Sequence, residues 1–246
     1  MRRRFIADTW TSATASLTGD QAVHLARVLR AESGQIYDIV AGGFLYRAEI
    51  ARVSASEVVF TLHEELEADA ALPLHLLLAV FKFDHFEWAI EKATELGVGR
   101  ITPVLARRTE KRLAQASAKR VERWRRIALE AAKQSRRTDI PTIADPVPLK
   151  TALENETART RILLSETEQE VSLSAALEDI GCPTSGLSDV GSTAGYALAI
   201  GPEGGWAPEE MALFTTHTWR HVTLGPRILR TETAAIAAIA IVSAGF

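Results

Sequence analysis

From residue 74 onward the apolar residues come in short unbroken runs: LHLLLAV (74–80), RITPVLA (100–106), RILLSE (161–166), YALAIGP (196–202) and HVTLGP (221–226). Between them lie stretches with helical spacing, DHFEWAIEKATELG (84–97), 117–135, 173–180 and 208–217. A last helix, rich in alanine and isoleucine, follows LGPRILRTET (224–233). A strand without a polar face is buried on both sides, and helices set between such strands cover those sides. The pattern predicts an α/β fold built on a mostly parallel sheet.

Before residue 64 the rhythm differs. DQAVHLARVLRA (20–31), behind Asp20 as a cap, predicts a helix that Ser33-Gly34 ends. IYDIVA (36–41), FLYRAEIARVS (44–54) and EVVFTLH (57–63) follow, partly alternating and rich in β-branched and aromatic residues. One helix with several short strands predicts a small barrel or a compact α+β module. EELEADAALP (64–73), acidic and ending in proline, reads as a linker. The expected division is 1–70 and 73–246. CPTSGLSDVGSTAGY (182–196) reads as a Gly/Ser-rich loop.

Composition narrows the class. An apolar fraction of 47% suits a globular core and excludes a disordered chain. The single cysteine, Cys182, excludes an intramolecular disulfide and a zinc cluster and fits a reducing, cytoplasmic setting. MRRRFIADTW has the basic start of a signal peptide without its apolar core, and no run is long enough to span a membrane. A soluble protein is expected, with no membrane partner.

A formal net charge of −3 hides an uneven distribution. Twelve lysines and arginines lie between Arg107 and Arg137, opposed before Asp139 only by Glu110, Glu122 and Glu130. A solvated helix face is the ordinary fate of a charge run. Here the local acids are too few to pair most of the arginines, and like charges along one helix cost stability. Polyanion binding explains the cluster better, and arginine suits phosphate.

In an open α/β sheet, ligands bind beyond the carboxyl ends of the strands. Two glycine turns are expected there at neighbouring strand ends, GPEGGW after YALAI and LGPR after HVT. Glycine lets backbone approach a ligand, and the helix that follows offers free N–H groups. No GxxxxGK[ST] is present, and GVGRIT (97–102) lacks the third glycine of a dinucleotide fingerprint. Glu203, inside the first turn, disfavours a polyphosphate and suits a ribose hydroxyl or a cation. His217 and His221 lack a further ligand at metal-site spacing, so no metal is expected. His24 reads as a partly buried structural residue, and the five scattered tryptophans as packing residues.

HLARVLR, KATELGV (92–98), ALEAAKQSRRTDIP (128–141), GPEGG (201–205) and LGPRILRTETA (224–234) resemble, in that order, the ribosomal RNA small-subunit methyltransferase E family. The resemblance covers nearly the whole chain. It implies a PUA-like RNA-binding barrel at 1–70, a SPOUT domain with a trefoil knot at 73–246, and a homodimer. The implied activity is methylation of N3 of a uridine in 16S rRNA of the small ribosomal subunit, with S-adenosyl-L-methionine as cofactor.

Carried onto this chain, the resemblance implies a cofactor site of three walls. Ile200, Gly201, Pro202, Glu203 and Gly204 form one, and Leu164, Ser165 and Glu166 another. Leu224, Gly225, Ile228, Leu229 and Arg230 form the third. The small alanines of the last helix would let it pack closely beneath the knot or against the second subunit, or serve a simple core. Methylation at N3 needs its proton removed and the imide anion stabilised, and arginines aimed at the flanking carbonyls do the latter. Arg230 is the first candidate and Arg227 the second. Glu232 would accept the proton, or cap the last helix with Thr231 as N-cap. Arg3, Arg4, Arg27, Arg30, Arg107, Arg108, Arg123, Arg126, Arg136 and Arg137 are the candidate RNA contacts. Two alternatives stay open at this point: a non-enzymatic RNA-binding or ribosome assembly factor, and a SPOUT methyltransferase with another RNA target.

Overall fold

The computed structural model describes residues 4–68, 70–180 and 195–245. Arg3, Cys182 and most of the Gly/Ser-rich loop lie outside the described residues. The chain divides into two compact units, residues 1–70 with 132–139, and residues 71–131 with 140–246.

The first unit holds β1 (Arg4–Ile6), β2 (Thr9–Trp10), β3 (Thr14–Thr18), α1 (Gly19–Val23), β4 (Ile36–Ala41), β5 (Phe44–Val53) and β6 (Glu57–Leu66). They form one six-stranded sheet in the order β1-β4-β5-β6-β3-β2, antiparallel except for the β1–β4 pair. The expected helix at 20–31 is shorter and changes type: after Val23 the chain makes a π turn over His24–Val28, and Arg30 takes a positive φ of 48°. His24 is exposed, not partly buried. Strands β1 and β2, of 3 and 2 residues, are too short to display a period along the sequence, whereas the unexpected β3 alternates over its 5 residues, with Ala15 and Leu17 buried. The expected linker is also shorter. Ten-residue β5 needs a partner along its whole length, so β6 continues through Glu64 and Glu65 to Leu66, which pairs with Leu45. An ion pair between Arg47 and Glu64 joins the two strands there. Leu17, Leu25, Ile39, Ile50, Val58 and Phe60 make the fully buried core.

The second unit comprises β7 (Leu72–Ala79), α2 (Phe83–Glu95), β8 (Val98–Leu105), α3 (Lys111–Ser117), the main part of α4 (Val121–Ser135), β9 (Thr142–Ile143), β10 (Val147–Pro148) and α5 (Leu149–Glu154). It continues through β11 (Thr160–Leu164), α6 (Leu173–Ile180), β12 (Tyr196–Ile200), α7 (Pro208–Thr216), β13 (Arg220–Val222) and α8 (Thr231–Ser243). The helix expected over 117–135 starts earlier as α3 and passes through a 3-10 turn at Ala118–Arg120 before α4. Every pairing in this sheet is parallel, in the order β10-β8-β7-β12-β11-β13, with β9 beside β8.

β7 explains the unbroken apolar runs. Leu74, Leu76 and Leu78 face one core with Phe86, Ile90, Trp124 and Ile239, while Leu77 and Ala79 face another with Leu163, Trp206 and Phe214. Fully burying one such leucine contributes roughly 1.5–3 kcal/mol, so two-sided strands are held strongly. α8 lies on the first core, with Ala235, Ala238, Ile239 and Val242 inward beside Phe86, Ala89 and Ala93 of α2. Ala235 and Ala238 thus serve close helix packing within the unit. No helix among the described residues is long and apolar enough to cross a membrane.

The sheet order revises one expectation. The strands before the two glycine turns are not neighbours: β11 runs between β12 and β13, pairing with both. The LLSE turn therefore stands between the glycine turns and does not flank them.

Candidate functional site

Strands β7, β12, β11 and β13 lie in consecutive positions in the sheet, and the segments leaving their carboxyl ends enclose a cavity of about 970 Å³. Leu164, Ser165, Glu166, Ile200, Gly201, Pro202 and Glu203 line it, as do Leu224, Gly225, Arg227, Ile228, Leu229, Arg230 and Glu232. Of the expected residues only Gly204 does not, and its carbonyl accepts a 2.5 Å hydrogen bond from Nη1 of Arg108.

The GPEGG turn is built from beneath. Gly205 has φ +68°, its N–H donates to the Pro202 carbonyl at 2.8 Å, and a Cβ there would stand 2.5 Å from Glu166 Oε1. Trp206 packs so closely under Gly201 that a Cβ at 201 would meet its indole nitrogen at 3.1 Å. Trp206, Phe214 and Trp219 then stack edge to face. Behind the turn, the buried carboxylate of Glu210 accepts the N–H groups of Arg107 at 2.7 Å and Ala207 at 2.8 Å. That fixes the start of α7 and ties it to the loop after β8. Glu203 Oε1 accepts the N–H of Lys82 at 3.3 Å.

The second turn needs conformation more than space: Gly225 has φ +111° with nothing near its missing side chain. Among the described residues, no hydrogen bond engages the backbone N–H of Leu224, Arg227, Ile228 or Leu229. Between the turns, Glu168 accepts the N–H groups of Glu170 at 2.8 Å and Val171 at 3.1 Å, and these bonds hold its carboxyl below the ordinary range.

At the start of α8 the structure corrects the expected cap. The extended residue is Arg230 (φ −63°, ψ 151°), which makes Arg230 the N-cap and Thr231 the first helical residue. No side chain caps this end. The Glu232 carboxylate, only 5% exposed, turns instead to His85 in the first turn of α2, with Oε1 2.7 Å from Nδ1. Sequence reading missed His85 and Lys82, both of which line the cavity. The available signal was their position, at the junction between a buried strand and its helix. That junction carries no glycine, so it does not stand out.

Five carboxylates (Glu166, Glu168, Glu170, Glu203, Glu232) line the cavity against three fixed cations (Lys82, Arg227, Arg230). That balance favours a cationic ligand and disfavours a polyphosphate. The exposed side chains of Arg227 and Arg230 make no ion pair among the described residues.

The basic segment is less free than its sequence suggests, because acids from other elements reach it. Glu87 of α2 takes Arg123 in a two-bond fork, both at 2.8 Å, and Arg120 at 3.4 Å. Asp145 and Glu122 share Arg125, and Glu110 takes Arg112. Arg137, with its side chain 8% exposed, pairs with Asp139. Arg4 donates to the backbone carbonyl of Arg136. The side chains of Arg27, Arg30, Arg107 and Arg126 are exposed.

Comparison with known proteins agrees with this geometry. Residues 68–243 match the family model for an RNA methyltransferase domain. The chain is 35% identical to ribosomal RNA small subunit methyltransferase E of Synechocystis, over 94% of this chain and 73% of that protein. It is 32% identical to the enzyme of that name from Bacillus subtilis, over 94% and 90%. The crystal structure of the Neisseria gonorrhoeae enzyme of that name, bound to S-adenosyl methionine, superposes with a TM-score of 0.77 at 27% identity, over 99% of this chain and 98% of that one. With the domain model and the full-length relatives agreeing, the chain belongs to the ribosomal RNA small subunit methyltransferase E family.

Proposed function

We propose that this protein uses S-adenosyl-L-methionine to methylate N3 of a uridine in 16S rRNA of the small ribosomal subunit. The observation that carries the reading is the cavity at the carboxyl ends of β7, β12, β11 and β13. Its volume stands at the upper end of the range for small-molecule sites. Its uncommitted N–H groups at 224 and 227–229 suit the polar edges of an adenosyl group, and its excess of carboxylates suits a sulfonium and an ammonium. Leu164, Ile200, Leu224 and Ile228 supply apolar wall. The cofactor, when bound, supplies the electrophilic methyl group.

The chain's own residues then orient and manage charge. Ser165, Glu166 and the glycine turns hold the cofactor. Arg230 and Arg227, free of ion pairs among the described residues, donate to the uracil carbonyls and stabilise the imide anion as it forms. The first unit acts as a PUA-like RNA-binding domain and the second as a SPOUT domain whose trefoil knot carries the walls. β11, set between two strands that follow it in the chain, supports that reading. Arg4, Arg27, Arg30 and Arg136 of the first unit contact phosphate, and so do Arg107, Arg108, Arg123 and Arg126 of the second, while Arg137 is committed to Asp139. We include homodimerisation in the proposal.

The test is methylation of small-subunit particles by the full chain, with the product nucleoside identified by mass spectrometry. 3-Methyluridine is expected. A different methylated nucleoside would assign another target, and absence of S-adenosyl-L-methionine binding by calorimetry would leave an RNA-binding factor.

A further inference from the structure

We infer that His85 and Glu232 together are the proton acceptor of this reaction, the imidazole taking the uridine N3 proton and the carboxylate orienting the imidazole. The inference rests on the N3 reading above and supplies the base which that reading requires.

The geometry divides the labour. An ionised carboxylate only accepts hydrogen bonds, so in the 2.7 Å contact the proton sits on Nδ1 of His85, and in the neutral ring Nε2 then keeps its lone pair. The Glu232 side chain is 6% exposed, while that of His85 is 34% exposed. Of these two cavity-lining residues, the imidazole is therefore the more accessible. Both stand in the first turns of helices that pack side by side on one core, so the pair is held by α2 and α8 and not by a loop. The free N–H groups at the start of α8 favour the Glu232 charge.

The other charged groups around the ring are accounted for. Asp84, on the same helix, has Oδ2 3.9 Å from Nε2, beyond a hydrogen bond, and is drawn to Lys82 Nζ at 3.3 Å. Glu203 is engaged by the Lys82 N–H. Arg227 and Arg230 line the same cavity from the loop that leads into α8. Among these groups, no donor competes for Nε2 at hydrogen-bond distance.

The step balances. The N3–H bond breaks with its electron pair staying on the ring, and the proton goes to Nε2 of His85. The N3–methyl bond forms from that pair as the methyl–sulfur bond breaks, its electrons going to sulfur. The imidazolium, still held by Glu232, returns its proton to solvent after the product leaves. The same arrangement of carboxylate, imidazole and acceptor position underlies the serine hydrolases.

The experiment is single-turnover methylation of small-subunit particles across pH by the full-length wild type and by His85→Gln, His85→Ala and Glu232→Gln, with cofactor affinity measured by calorimetry. His85→Gln is expected to bind S-adenosyl-L-methionine like the wild type and to lose about 10²–10⁴-fold in rate, the ordinary contribution of a positioned base. Its rate should also lose the rise with pH that follows imidazole deprotonation. Added imidazole should partly restore His85→Ala. Glu232→Gln should lose less and displace the rising limb. A wild-type pH profile in His85→Gln would overturn the inference. So would loss of cofactor binding in that variant, or a rising limb that vanishes only in Glu232→Gln. If the wild type makes a methylated nucleoside other than 3-methyluridine, the functional reading falls first and the inference falls with it.

Discussion

Among its described residues, the α/β unit contains two histidine–glutamate pairs of nearly equal length set in opposite circumstances. His75 of β7 uses both ring nitrogens, Nδ1 with Glu156 Oε2 at 2.6 Å and Nε2 with Thr102 Oγ1 at 2.8 Å. Glu156, 7% exposed, also accepts the N–H of Ala158 at 2.7 Å. His85, which lines a cavity, uses one nitrogen and leaves the other without a hydrogen bond among the described residues. A buried polar group with every partner satisfied holds structure and has nothing left to offer a substrate. One with a vacancy facing a pocket is equipped for chemistry. The contact distance alone, 2.6 or 2.7 Å, does not distinguish the two pairs. The second nitrogen does.

Four measurements sharpen or break this contrast. The largest expected effect is on stability: Glu156→Ala should cost about 3–5 kcal/mol, the usual loss when one partner of a buried pair is removed. Denaturant unfolding would show it, with methylation unchanged below the melting range. Glu232→Gln should cost less, on the order of 1 kcal/mol, since its partner is half-open to water. Equal losses would erase the distinction between the pairs.

Next comes Arg230→Ala, which removes a cavity-lining donor two positions before Glu232. A 10²–10³-fold fall in single-turnover rate, about 2.7–4 kcal/mol, is expected with unfolding unaffected. A loss confined to the apparent affinity for the particle would instead make Arg230 an RNA contact.

Acid should separate the pairs a third way. Burial pushes the Glu156 carboxyl up, but the hydrogen bond and charge of His75, with the N–H groups of Ala158 and Thr157, outweigh it and hold the group below the ordinary glutamate range. A carboxyl depressed on folding adds stability above its unfolded value and loses it as pH falls through the folded one. Stability of the wild type should therefore drop on acidification below the ordinary glutamate range, and Glu156→Gln should flatten that drop. Melting curves across acid pH decide it.

The smallest effect belongs to an exposed pair. Arg123→Gln breaks the fork with Glu87 and should leave the unfolding midpoint almost unchanged, as for most exposed ion pairs. If Arg123 also meets phosphate, RNA affinity should weaken uniformly and the salt slope should fall by about 1. An unchanged slope would assign it wholly to Glu87.

Legibility followed the strength of local signals. The two-sided runs of β7, β8, β11 and β12 were readable because burial on both faces leaves no polar position, and Leu173–Ile180 has the extent its helical spacing predicts. β9 and β10, of two residues each, take their form from the edge of β8 and carry no pattern of their own. Glycine turns announced two cavity walls, since Gly205 and Gly225 need positive φ. The position of β11 between β12 and β13 is a property of pairing, which no spacing encodes. The acids that pair the basic helix were hidden for the same reason: Glu87 is 36 positions from Arg123 in the chain but meets it across two helices. His85 was invisible because its meaning depends on Glu232.

That dependence has a consequence for how the protein becomes active. His85 and Glu232 are 147 positions apart in the chain, and each reaches the other only after its own helix has settled on the shared core. Contacts of such separation form late, since the ordering cost of the intervening chain precedes any gain. A partly assembled chain can already display strands, helices and a basic surface, yet it has no gripped imidazole. It would bind RNA without modifying it, so methylation reports completion of the fold.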